Sequence, residues 1–235
     1  MMFRQMLLWP LALGLAAPAC AGAAEAAEPQ ITPAAASAST SDSEKVWIPD
    51  QPMRCNGISG WQHYQINGPV PVRDRPAASG KILGSLPAIA TDQDYSVLFD
   101  ILTIQRGWVQ IANASDAYNE AAGYPKRSVY QGVGWIPADA ALLRVQSGRG
   151  YARPDLSSTR LLDLKPRWLG DAGVIKSLAG CHGEWVLLAY RLTRSETGQS
   201  IPKDQQKTEM AWFRGYCPIE ETTCDMASVD EDEAA

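Results

Sequence analysis

Beyond roughly its first 45 residues the chain sets apolar side chains in short runs, each closed by Gly, Pro, Asp or Ser. This rhythm predicts strands rather than helices. In the first half, residues 70–73, 81–86, 95–105, 108–112 and 134–136 are the expected strands. In the second half, residues 150–152, 160–164, 174–178, 184–191 and 210–214 follow in the same order. Prolines and glycines at this density forbid long helices, because proline removes a backbone donor and glycine adds backbone freedom. Five short strands in some 70 residues call for a small barrel or two packed sheets, which hide the sheet edges.

The two halves repeat one pattern. Arg75-Pro76 is echoed by Arg153-Pro154, and Leu83 and Leu86 by Leu161 and Leu164, all at an offset of 78. Trp108 is echoed by Trp185 and Trp135 by Trp212 at an offset of 77, so the two tryptophans of each half stand 27 residues apart. A one-residue slip between the two offsets is what a single loop deletion produces.

Before the repeats lies an address. Arg4, an apolar run over residues 7–17 and small residues over 16–24 have the order of an export signal. Residues 1–23 are the expected signal peptide, with cleavage after Ala21-Gly22-Ala23 preferred to Ala17-Pro18-Ala19. Acylation of Cys20 is the alternative, giving an anchored lipoprotein. Residues 24–46 are Ala-, Pro- and Ser-rich and read as a disordered linker. The expected first domain is 47–145, with 47–65 as an added strand or cover, and the second is 146–224. Residues 225–235 read as a solvated acidic tail. No later stretch reaches 18 apolar residues, so no transmembrane segment is expected in the mature chain, which belongs in the periplasm or outside the cell.

Composition narrows the chemistry. The formal charge is -5, with 21 basic against 26 acidic residues, which argues against a nucleic-acid partner. With only two histidines, His63 and His182, reactions needing several imidazoles are nearly excluded. Neighbours on a strand face opposite ways, so His182 is badly placed to activate Cys181. No metal site and no cofactor are expected: Cys181, His182, Cys217 and Cys224 lack the spacing of a zinc site, and export favours disulfides. Cys55, Cys181, Cys217 and Cys224 allow three pairings, of which Cys55–Cys181 with Cys217–Cys224 is the economical one.

The residues Val72-Arg73-Asp74-Arg75-Pro76-Ala77-Ala78-Ser79, Gly107-Trp108-Val109-Gln110-Ile111 and Gly134-Trp135-Ile136-Pro137 resemble the bacterial Src-homology-3 (SH3b) domain family. The second half matches through Tyr151-Ala152-Arg153-Pro154, Glu184-Trp185-Val186 and Ala211-Trp212-Phe213, with both glycines before the tryptophans replaced. The resemblance implies a mainly β protein of two small SH3-like barrels in tandem. It also implies a non-catalytic module that recognises a peptidoglycan peptide or an envelope protein. A small cell-wall hydrolase and an inhibitory partner of another exported protein are the alternatives. Expected ligand-binding residues are Trp135 and Pro137, with Tyr118, Tyr124 and Tyr130 on the long insertion between two strands. Trp108 and Trp185 are expected in the two cores.

Overall fold

A computed structural model of the chain describes residues 45–88, 97–116, 127–217 and 228–231. The expected signal peptide, most of the linker, Tyr118, Tyr124, Cys20 and Cys224 lie outside these residues. The molecule is mainly β. A long strand β1 (Met53–Gln62) precedes the first repeat, which comprises β2 (Val70–Arg73), β3 (Ile82–Leu86), β4 (Val97–Gln105), β5 (Trp108–Asp116), β6 (Arg127–Tyr130) and β7 (Gly134–Pro137). A 3-10 turn (Ala138–Ala140), β8 (Ala141–Leu142) and β9 (Arg144–Val145) lead to the second repeat. That repeat contains β10 (Arg149–Tyr151), β11 (Arg160–Asp163), a helical turn α1 (Leu169–Ala172), β12 (Gly173–His182), β13 (Trp185–Leu192) and β14 (Thr208–Arg214). Strand β15 (Tyr216–Cys217) pairs β9, and a second turn α2 (Ser228–Glu231) ends the described chain.

The duplication seen in the tryptophan spacing extends to the hydrogen-bond register. The first sheet runs β3-β2-β7-β5-β4 before continuing to β1 and β8, and the second runs β11-β10-β14-β13-β12. Trp135 stands between Arg73 and Gln110, and Trp212 stands between Tyr151 and Leu187. Those positions correspond at the same offsets of 77 and 78. Bulges repeat as well: Val72/Arg73 corresponds to Gly150/Tyr151, and Ile101/Thr103 to Leu178/Gly180. Bulges set the local bend and twist of a strand, so sharing them means sharing sheet curvature.

Where the second repeat departs from the first, a neighbour compensates. A Cβ on Gly134 would overlap the Val72 side chain, whereas the second repeat has Ala211 at that place and Gly150 opposite it. Small and large have exchanged sides of one contact. The β5 hairpin turns on Arg106 and Gly107, both at positive φ (45° and 80°), as a type I′ turn requires. The β13 hairpin needs positive φ only at Gly183 (57°), so Glu184 is tolerated where the first repeat has glycine.

Among the described residues no sheet closes into a barrel, so in place of the two expected barrels stand two open antiparallel sheets and the short β9–β15 ladder. One hydrophobic cluster runs through both, joining Val72, Ile111 and Ile136 of the first to Leu162, Val186 and Phe213 of the second. Strand β12, at the edge of the second sheet, lies against β1, β4 and β8. A disulfide joins Cys55 of β1 to Cys181 of β12, tying the segment before the repeats to the second half. Cys217 is also disulfide-bonded, and Cys224, its expected partner, lies outside the described residues.

Asp230 departs from the reading of residues 225–235 as a solvated tail. Asp230 is buried; its carboxylate accepts from Ser147 Oγ at 2.6 Å and from the Gly148 N–H at 2.9 Å, at the junction between the repeats. Lys165 Nζ donates to its carbonyl at 3.1 Å. A run of carboxylates looks solvated in sequence, but one of them can be drawn in by a backbone N–H and a hydroxyl that hold its two oxygens.

Candidate functional site

Between the repeats opens a cleft of about 200 Å³. Its first wall is the end of β1 and the residues after it. Trp61 pairs Leu142 of β8, and the His63 N–H donates to Ala140 O at 2.9 Å, which turns His63 and Tyr64 toward the cleft. The opposite wall is the α1 turn, pinned by fully buried Leu169 and Ala172, together with the first residues of β12. The buried Leu142, Leu143 and Val145 line the cleft between these walls. Anchoring Leu169 inward leaves its neighbour Trp168 at the surface, 37% exposed, and Tyr64 is 55% exposed. Two aromatic rings are therefore presented at the opening, with the exposed Asp171 and Arg144 beside them.

His63 is buried, and its environment keeps it neutral. Its Nδ1 accepts from the Gln65 N–H at 3.0 Å. Burial, and then the nearby Lys176, push its pKa below the ordinary 6.5, against smaller opposing effects of the Ile175 backbone and Asp139. A neutral imidazole with its ring already engaged helps to shape the cleft and is poorly placed to move protons. Cys181 is held in the disulfide, so it offers neither a thiolate nucleophile nor a metal ligand. Among the described residues, no group of three or more His, Cys, Asp or Glu side chains could hold a metal ion. No helix among them is long and apolar enough to cross a membrane.

The residues expected to bind a ligand lie elsewhere, on the first repeat. Trp135 is buried at 8% exposure, in a row with Arg73 and Gln110, and Pro137 is half-buried beside Trp108. Tyr130 is half-buried; its ring packs where Gly84 and Gly134 lack side chains, and its hydroxyl donates to Val133 O at 3.3 Å. Trp108 and Trp185 are half-buried, whereas Trp212 is fully buried, so the second tryptophan of each half is the more enclosed. The insertion continues β5 to Asp116 and returns as β6, closed by an Arg127–Asp116 pair with contacts of 2.9 and 2.8 Å.

The cleft residues Tyr64, Trp168 and Asp171 carry no motif. The available signal was an isolated tryptophan in a turn-rich stretch, Lys165-Pro166-Arg167-Trp168-Leu169-Gly170. Pairing it with Tyr64, about a hundred residues away, needs the three-dimensional arrangement of the repeats. Compared with protein-family models, curated proteins and solved structures, the chain matches none.

Proposed function

We propose that the chain is an exported, non-catalytic binding module of two SH3-like units, and that it recognises a cell-wall peptide in the cleft between them. The observation that carries this reading is the opening itself: Tyr64 and Trp168 expose their rings beside Asp171, in a cleft lined by the apolar Leu142 and Val145. Aromatic faces take up the apolar surface of a sugar or side chain, and a carboxylate takes up an ammonium or hydroxyl. The duplicated sheet order and register support the tandem-unit reading. The Cys55–Cys181 disulfide is compatible with an oxidising compartment outside the cytosol.

The test is retention on purified peptidoglycan at moderate salt. The wild-type chain is retained, and Trp168→Ala and Tyr64→Ala are released. Both side chains are surface-exposed, so their truncation leaves the core intact. A wild-type chain that stays in the supernatant ends the proposal.

A further inference from the structure

Duplication lets each surface of the second repeat be compared with its counterpart in the first, and one surface carries an addition. Across the second sheet, Arg160, Tyr151, Trp212, Leu187 and Gly180 are successive cross-strand neighbours. Over this row lies a segment that forms no strand, residues 46–49. The Trp47 ring stacks on Trp212, with centroids 5.6 Å apart and planes 19° from parallel. The Trp47 N–H donates to Ala152 O at 2.8 Å, and Trp212 Nε1–H donates to Trp47 O at 2.9 Å. Pro49 packs over Gly180, where an added Cβ would lie 3.6 Å from its Cγ. Between the two anchors, Ile48 points away and is 52% exposed.

Backbone groups held by the receptor, alternate side chains seated and the intervening one in solvent are the features of a bound extended peptide. In the first repeat the matching row is Arg73, Trp135, Gln110 and Thr103. It is polar on both sides of the tryptophan, and Thr103 has a branched side chain where Gly180 leaves room for Pro49. The seat therefore belongs to the second repeat and is not a by-product of the shared fold.

We propose that this face is a binding site for an extended peptide with tryptophan two residues before proline. In this chain it is filled by residues 47–49, and a partner protein carrying a segment of the same chemistry competes for it. Because Trp47 lies only six residues before β1, the internal segment acts at an effective concentration on the order of millimolar, which sets the affinity a partner must exceed. The site is separate from the cleft and does not depend on the reading given to it.

The test uses a labelled nonapeptide of residues 43–51, Ser-Glu-Lys-Val-Trp-Ile-Pro-Asp-Gln, against the full-length Trp47→Ala chain. The variant binds the peptide at least about tenfold more tightly than the wild type, in which the internal segment competes. A peptide with alanine in place of tryptophan does not bind. Adding Trp212→Phe, which removes the indole donor, weakens binding about fivefold. Equal binding by the wild-type and Trp47→Ala chains, or no binding to the variant at about 1 mM peptide, where the competing internal segment has been removed, overturns the proposal. Should Trp47→Ala fail to fold, the wild type serves: a millimolar peptide of residues 46–51, which carries no trypsin site, accelerates tryptic cleavage after Lys45, and an unchanged rate is equally fatal.

Discussion

Removing the Cys55–Cys181 bond isolates the link between the leading strand and the second repeat. The two cysteines are 126 residues apart, and the loop-entropy relation for a cross-link of that length gives about 5 kcal/mol at 25 °C. Either single variant, Cys55→Ala or Cys181→Ala, breaks the same bond, so each loses most of that sum, about 4 kcal/mol. The double variant then adds only the small burial loss of a second sulfur, roughly 1 kcal/mol, and the coupling between the sites is about 3 kcal/mol. Urea unfolding followed by tryptophan fluorescence measures all three. The slope of the transition should steepen as well, because the freed denatured chain exposes more surface. Single variants costing under about 1 kcal/mol, or costs that simply add, would refute the claim that this bond restrains the unfolded chain.

Three further outcomes follow from the packing. Asp230→Ala strands the Gly148 N–H, while the Ser147 hydroxyl keeps the Arg149 carbonyl as acceptor, and should cost about 2–3 kcal/mol, against about 1 kcal/mol for Asp230→Asn, which keeps an acceptor; an unshifted urea midpoint for the alanine variant removes the anchoring role. Gly134→Ala should cost about 1–3 kcal/mol, and Val72→Ala in the same chain should recover part of it, as the Gly150 and Ala211 exchange implies; strictly additive costs count against this. Because the folded pKa of His63 lies below 6.5, the unfolded chain binds a proton in that window that the folded chain does not. Stability is therefore full above 6.5 and falls as pH drops through the window. In His63→Gln the fall in Tm between about pH 7 and pH 5 should be shallower, and an identical slope would show that His63 is not its source.

Much of the fold was legible because strands and turns are local. The tryptophan spacing and the Arg-Pro turns located the repeats, and the same offsets reappear in the strand register. Strand β12 ran further than its pattern suggested, through Cys181 and His182, because pairing with β13 overrides the glycine at 180. Long-range placements were less accessible. The burial of Asp230 depends on donors more than 80 residues away, and no local property of an acidic run reports them. The seating of Trp47 was legible only as far as the expectation that residues 47–65 add a strand or a cover, because the face it covers is assembled from distant strands. The cleft was invisible for a similar reason: its aromatic residues come from the two sides of a junction that exists only after the sheets pack.

Backbone amide shifts recorded while soluble peptidoglycan fragments are titrated into the full chain give the sharpest check of the binding account. The account predicts saturable shifts concentrated at Tyr64, Arg144, Trp168 and Asp171, with the Trp135 row unmoved. Shifts confined to another surface, or none at saturating fragment, would contradict it.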